Sequence, residues 1–138
     1  MGAQQSKHSL SILILLACVV IADGKVLNVE LDALVKASVT LKLKGTDGRN
    51  LNEHQIRAWF LENKGAITKE YFGHDGQLKL NRLIMDLQNY SKINTLLKAM
   101  YDIGYADNEL HAKENMVIEL AEAFWGNLLQ TTSKSSVA

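Results

Sequence analysis

The chain has no proline and only one cysteine, Cys18, among its 138 residues. Without proline, no helix is forced to end or kink at a fixed position. One cysteine cannot form a disulfide within the chain, which is typical of a reducing compartment. The 15 basic residues are balanced by 15 acidic ones, so no net field attracts nucleic acid or an anionic membrane. We therefore expect one cytoplasmic domain that neither binds nucleic acid nor inserts into a membrane.

The short motifs of several enzyme classes are also missing. The sequence has no Walker-type phosphate loop, no Gly-x-Gly-x-x-Gly segment and no Gly-x-Ser-x-Gly elbow. Its Asp-initiated turns do not match an EF-hand, because basic or apolar residues occupy ligand positions. Cys18 lies among leucine and valine, which predicts a buried and inert thiol. These absences indicate a protein that is not an enzyme. An enzyme that uses paired carboxylates as acid and base is a further hypothesis, and no motif supports it.

What the chain does contain is the apolar spacing of helices. Hydrophobic residues make up 47% of the composition, enough for the core of one domain. Leu80, Leu83, Ile84 and Leu87 have the i, i+3, i+4, i+7 spacing of a helical stripe. No alternating segment of useful length indicates a strand. The sequence therefore predicts an all-α, single-domain bundle of six to eight helices.

Capping residues and glycines set the predicted boundaries. We expect a first helix from about Ser9 to Ala22, a second from an N-cap at Asn28 to a C-terminal Gly45, and a third from a capping box of Asn52 and Gln55 to Gly65. A short turn capped by Thr68 follows, and further helices begin after Asp75-Gly76 and after Ser91. His111 caps the final helix, whose core face is Met116, Val117, Leu120, Ala121 and Phe124. Residues 1–8 are expected to flank a domain of residues 9–127, and residues 128–138 to form a flexible tail.

The apolar run from Leu10 to Ala22 has two interpretations. It resembles a processed signal segment, with a lipoprotein-like box that ends at Cys18. It also has the all-round apolarity of a helix that other helices surround. The apolar run continues past Cys18 into the turn that follows, so cleavage there would remove most of the helix. We therefore expect an unprocessed, buried first helix.

A short acidic signature occurs twice. One copy runs from Ala22-Asp23 to Glu30, and the second runs from Ala106-Asp107 to Glu114. Each copy follows an apolar segment, and the offset between copies is 84 residues for both acids (107 − 23 and 114 − 30). Such internal similarity predicts a chain of two related halves. It also nominates Asp23, Glu30, Asp107 and Glu114 as a joint site.

Two interpretations of these acids stay open. Carboxylates from two turns at one end of a bundle suit a hard divalent cation, with Ca²⁺ or Mg²⁺ favoured. Alternatively, each Asp orders its turn and each Glu stabilises the first turn of a helix, with no ligand. His111 lies between Asp107 and Glu114, where it caps the final helix or joins a metal site.

The two turns resemble those of the TerB family, the tellurite-resistance TerB-like fold. The residues that carry this resemblance are Ala22-Asp23-Gly24-Lys25-Val26 with Glu30, and Ala106-Asp107-Asn108-Glu109-Leu110 with Glu114. The resemblance covers roughly Leu10 to Trp125. The second turn departs from the usual pattern at Asn108, where glycine is common, although asparagine also tolerates left-handed backbone angles. Nothing transfers from the family to residues 46–78.

What the resemblance implies is an all-helical domain of two related halves without catalytic chemistry. Such proteins are associated with tellurite and chemical-stress resistance and with complexes at the cytoplasmic membrane face. The implied metal site would be formed by Asp23, Glu30, Asp107 and Glu114. We therefore expect a non-enzymatic stress-response protein with protein partners and an acidic site for a divalent cation. The alternative is a helical interaction module whose acids are only helix caps.

Overall fold

The fold of this chain is all-α. A computed structural model describes the backbone of residues 2–22, 24, 26, 28–106 and 112–137, and the side chains of residues 8–22, 24, 26, 28–106, 112 and 114–126. Those residues form α1 (Gly2–Ile21), α2 (Asn28–Thr40), α3 (Glu53–Phe72), α4 (Gly76–Asp86), α5 (Ile93–Gly104) and α6 (Ala112–Val137). In this part of the chain the only β-type pairing is an isolated bridge between Lys44 and Asn50.

Helix α1 lies at the centre of the bundle. It contacts each of the other five helices. From residue 12 onward every side chain of α1 except Ile14 is buried, including Cys18. This all-round burial is the arrangement that its all-round apolar sequence predicts. Within the described ranges, no helix has both the length and the apolarity needed to cross a bilayer.

Helix α3 begins at the predicted capping box. The Gln55 amide donates to Asn52 Oδ1 at 2.8 Å, and the Asn52 amide donates to Gln55 Oε1 at 3.0 Å. The prediction that this helix ends at Gly65 is wrong, because α3 continues to Phe72 and includes Thr68. One glycine in a helix interior costs about 1 kcal/mol. Burial of apolar residues on both sides of Gly65 outweighs that cost.

Helix α2 ends at Thr40, and Lys42 takes the C-terminal position that the sequence had assigned to Gly45. The Lys42 amide donates to the Val39 carbonyl at 3.0 Å, and the Leu43 amide donates to the Ser38 carbonyl at 3.1 Å. These are the two hydrogen bonds of a Schellman motif. Lys42 has a φ of 55° and so occupies the left-handed position that glycine usually takes. Gly45 instead belongs to the loop that follows.

The start of α5 also differs from the prediction. Lys92, and not Ser91, is the N-cap residue, and it makes no side-chain capping hydrogen bond. No acidic residue lies in the first turn of this helix. The first amides of α5 are therefore not satisfied by a capping side chain.

The core face of α6 is rotated from the predicted one. Val117, Ile118, Ala121 and Trp125 are buried, whereas Met116 is 45% exposed. The Trp125 indole Nε1 donates to the Ile84 carbonyl of α4 at 2.9 Å. An indole needs a hydrogen-bond acceptor when it is buried, and the end of α4 supplies one. This anchoring places Trp125 inside, where we had expected its neighbour Phe124.

The first and last helices, α1 and α6, are longer than the sequence indicated. Helix α1 begins at Gly2 and not at Ser9, and α6 continues to Val137. No proline occurs anywhere in the chain, and no glycine follows Gly126, so nothing in the sequence stops α6. Assignment of residues 1–8 to a flank and of residues 128–138 to a tail stays a prediction about the domain, since helical backbone alone does not define its limits.

Several buried positions in the second half of the chain coincide with buried positions in the first half. The offset is the same 84 residues that separates the two acidic signatures. The equivalent buried pairs are Ile12 with Leu96, Leu15 with Ala99, Leu16 with Met100, Val19 with Ile103, Leu34 with Ile118, Ala37 with Ala121, and Leu41 with Trp125. The match is partial, because Cys18 and Val35 are buried whereas Asp102 and Glu119 are exposed.

Candidate functional site

Helices α1 and α5 begin at the same end of the bundle. One pocket is lined both by His8 and Ser9, near the start of α1, and by Ser91 and Lys92, immediately before α5. The two helices also pack against each other. They therefore run side by side in the same direction, and both end at the opposite end of the bundle.

Helix α2 runs back along this pair. The amide of Lys44, just after α2, donates to Ser9 Oγ at 2.8 Å. The end of α2 thus lies beside the start of α1, so the first turn of α2 lies where α1 and α5 end. Helix α6 begins after the segment that follows α5. We use the term acidic end for the last turns of α1 and α5 together with the first turns of α2 and α6.

Glu30 and Glu114 are fully buried at the acidic end. Each is the third residue of its helix, and each is 0% exposed. Both have interaction partners within the chain. The other nominated residues, Asp23 and Asp107, and the capping candidate His111 lie outside the described residues. Of the four predicted site acids, the structure therefore places two, both at the same end.

The two glutamates approach this end from different sides. Helices α2 and α6 each pack against α1 and α5, and within the described ranges they do not contact each other. The paired ends of α1 and α5 thus lie between the helices that carry Glu30 and Glu114. A ligand that contacted both carboxylates would have to sit across the ends of α1 and α5.

A third glutamate shows how unusual this burial is. Glu53 also lies in the first turn of its helix, α3, but its side chain is 67% exposed and pairs with Arg57 at 3.2 Å. A carboxylate that only complements the helix dipole gains nothing from burial, because desolvation penalises the charge. The position of Glu53 is the ordinary one. Glu30 and Glu114 are held in the interior by the packing of their helices.

Their burial follows from helical spacing that our sequence analysis missed. Glu114 precedes Val117, Ile118 and Ala121 by three, four and seven residues, so it lies on the buried stripe of α6. Glu30 precedes Leu34 by four residues and shares its face of α2. Extending each apolar stripe back by one turn would have identified both positions as interior.

The remaining candidate groups add no chemistry in the described part. That part holds no group of three or more His, Cys, Asp and Glu side chains suited to a metal ion, although it omits Asp23 and Asp107. Burial raises the pKa of the Cys18 thiol to about 12, so this cysteine stays protonated and inert at neutral pH.

Comparisons of the whole chain with known proteins give no assignment. No protein-family model, no curated protein and no solved structure matches it. The candidate site is therefore defined by its own residues.

Proposed function

We propose that this chain is a non-enzymatic, TerB-like protein of the tellurite- and stress-resistance type that binds a divalent cation at its acidic end. The observation that carries this proposal is the burial of Glu30 and Glu114 at equivalent positions of two partly matching helix pairs. A cation would add a counter-charge to two buried carboxylates that already interact within the chain. Asp23 and Asp107 precede these glutamates by seven residues in the sequence, so four carboxylates would be available as oxygen donors.

The type of ligand follows from the donors. Carboxylates are hard oxygen ligands, which suit Ca²⁺ and Mg²⁺ better than softer ions. Asp23 and Asp107 belong to the turns that precede these helices, and they would complete the ligand set. A tellurium oxyanion is a poor candidate, since four carboxylates would repel it.

The resemblance of the two turns to the TerB family supports the wider assignment. The partial 84-residue repeat in buried positions agrees with a fold of two related halves, which is what that resemblance implies. We infer a cytoplasmic protein that acts with protein partners at the inner membrane face. No residue is assigned a catalytic role.

The second candidate function is a helical protein-interaction module without a cation. One observation favours it: Glu30 and Glu114 already interact within the chain, on helices that do not contact each other. Each glutamate would then serve its own helix and turn. The two candidates differ in whether the two carboxylates act together.

Thermal unfolding of the chelator-stripped chain, titrated with Ca²⁺, Mg²⁺, Mn²⁺ and Zn²⁺, separates the two candidates. A cation at a hundred times its dissociation constant stabilises a folded protein by about 2.7 kcal/mol, a rise in Tm of several degrees. We expect a saturable rise with Ca²⁺ or Mg²⁺. Asp23→Asn, Asp107→Asn, Glu30→Gln and Glu114→Gln should each abolish it. Glu53→Gln, which changes an exposed first-turn glutamate of α3, is the matched control and should leave the cation response intact.

No shift in Tm at millimolar cation would overturn the metal site and leave the interaction module. A double-mutant cycle between Glu30→Gln and Glu114→Gln adds a second test in apo protein and in cation-saturated protein. A bridging cation predicts coupling only in its presence. Additive effects under both conditions would identify two independent helix-stabilising residues.

A further inference from the structure

A second site lies at the end of the bundle opposite the acidic end. It is a pocket of about 360 Å³, within the range of small-molecule sites. Three chain segments form it: the start of α1, the segment just after α2, and the segment just before α5. Its lining includes Lys42, Lys44 and Lys92. We call it the lysine pocket.

The lysine pocket concentrates positive charge. Lys42, Lys44 and Lys92 line it, and no acidic residue does among the side chains that are described. The Lys44 ammonium donates to Asn50 Oδ1 at 2.6 Å, a neutral acceptor that leaves the charge uncompensated. In the described part of the chain, none of the three lysines forms a salt bridge. In a chain of zero net charge, three lysines around one pocket without an acid favour an anionic ligand.

The start of helix α5 borders the lysine pocket. Helix α5 starts at Ile93, directly after Ser91 and Lys92 of the pocket wall. Its first turn carries no acidic side chain and its N-cap makes no side-chain hydrogen bond. The amides at a helix N-terminus attract anions, and phosphate is the usual one. The lysines and this helix end therefore favour the same class of ligand.

One of the lining lysines has an unusual backbone conformation. Lys42 holds the left-handed position of the α2 Schellman motif, where glycine avoids the steric cost. Glycine at this position would therefore remove both the steric cost and the ammonium group.

We propose that the lysine pocket binds the phosphoryl group of a small phosphorylated organic molecule. The three ammonium groups and the α5 amides hold the phosphoryl oxygens. The buried side chains of Ile12, Leu41 and Leu43 form an apolar floor for the organic part. His8 and Tyr90, whose rings meet edge to face at 5.8 Å, form an aromatic wall. This pocket is independent of the cation proposed for the acidic end.

Isothermal titration of the full chain with inorganic phosphate, pyrophosphate and glycerol 3-phosphate tests the proposal. We expect saturable one-to-one binding, tighter for pyrophosphate and glycerol 3-phosphate than for phosphate. Lys44→Gln and Lys92→Gln should each weaken binding about tenfold, because each removes a charge-assisted hydrogen bond. Lys36→Gln and Lys98→Gln are matched controls, since these lysines line a separate groove between α2 and α5. They remove the same charge and should leave the affinity unchanged.

The Lys42→Gly variant separates a loss of binding from a loss of folding. It should raise the Tm of the ligand-free protein by relieving the left-handed strain and should weaken pyrophosphate binding about tenfold. Equal weakening by the control lysines would overturn the proposal in favour of a net-charge effect. Absence of saturable binding to all three compounds at millimolar concentration would also overturn it.

Phosphatidylcholine vesicles with and without phosphatidic acid identify the source of the phosphoryl group. We expect no sedimentation of the protein with either vesicle. Binding only to vesicles that contain phosphatidic acid would replace the small molecule with a lipid headgroup and so contradict the proposal.

Discussion

The two ends of the bundle treat charge in opposite ways. At the acidic end, Glu30 and Glu114 are completely buried by the packing of α2 and α6. At the other end, Lys42 and Lys92 stay exposed around an open pocket. The zero net charge of the chain conceals this polarity. Charged side chains are therefore part of the packed interior at one end and are available to a ligand at the other.

The difference has an energetic consequence. A buried carboxylate affects the free energy of unfolding strongly. Removal of the carboxylate or of its partner leaves the other group buried without a hydrogen bond or water. An exposed lysine contributes little to stability, because water screens its interactions. Substitutions at the acidic end should therefore lower stability. Lys44→Gln and Lys92→Gln at the lysine pocket should alter binding and leave stability nearly unchanged.

The largest expected effect is at the buried glutamates. Glu30→Ala and Glu114→Ala should each lower the free energy of unfolding by about 3 kcal/mol, because each strands a buried interaction partner. Chemical denaturation in the presence of chelator measures this without a cation. Glu53→Ala is the control and should cost less than about 1 kcal/mol, since that carboxylate is exposed. Equal losses at all three positions would erase the distinction between buried and exposed glutamates.

A smaller effect is expected where the loop after α2 joins α1. Ser9→Ala removes the acceptor of the Lys44 amide and should cost about 1 kcal/mol. Hydrogen exchange at the Lys44 amide should also accelerate. Ser91→Ala changes an exposed hydroxyl of the same pocket and should do neither. Unchanged protection of the Lys44 amide in the Ser9 variant would show that this bond does not hold the loop.

The next prediction is a gain in stability and not a loss. Lys42→Gly should raise the free energy of unfolding by about 0.5 to 1 kcal/mol, because glycine adopts the left-handed conformation without steric cost. Urea denaturation at two salt concentrations separates this gain from relief of lysine repulsion, which salt screens. Lys92→Gln removes the same charge without a change in backbone strain and is the control. A gain that vanishes at high salt would attribute the effect to charge and not to the backbone.

The smallest effect is expected at Cys18, which lies between the two ends and should not react in the native chain. Its thiol is buried and has a pKa of about 12, so at pH 8 only about one molecule in ten thousand carries the thiolate. An aromatic disulfide reagent should not react with the native chain on a timescale of minutes. It should react at once after denaturation in guanidinium. Rapid reaction of the native protein would show that solvent reaches the middle of α1.

Much of the fold could be predicted because local and tertiary signals agreed. The all-round apolarity of α1 indicated a surrounded helix, and Asn52 with Gln55 marked the start of α3. Predictions failed where tertiary packing overrode a local signal. Gly65 suggested a helix end, but apolar contacts on both sides kept α3 continuous. The glycine rule pointed to Gly45, whereas a strained lysine ended α2.

The candidate site was predicted less completely. The repeat identified Glu30 and Glu114, yet an acidic residue in the first turn of a helix suggested a surface position. Only the register of each apolar stripe reveals their burial. The lysine pocket was missed altogether, because Lys92 lies far along the sequence from Lys42 and Lys44. Only the antiparallel return of α2 and the parallel start of α5 bring them together.

The central position of α1 has a consequence for synthesis of the chain. Its apolar surface leaves the ribosome before any of its partners, yet α6, the last helix, forms part of its surroundings. Complete burial of α1 must therefore wait until α6 has been translated. Until then part of its apolar surface is exposed, which favours aggregation or chaperone binding. The arrangement that gives the bundle its core thus leaves an apolar face of the nascent chain uncovered until α6 emerges.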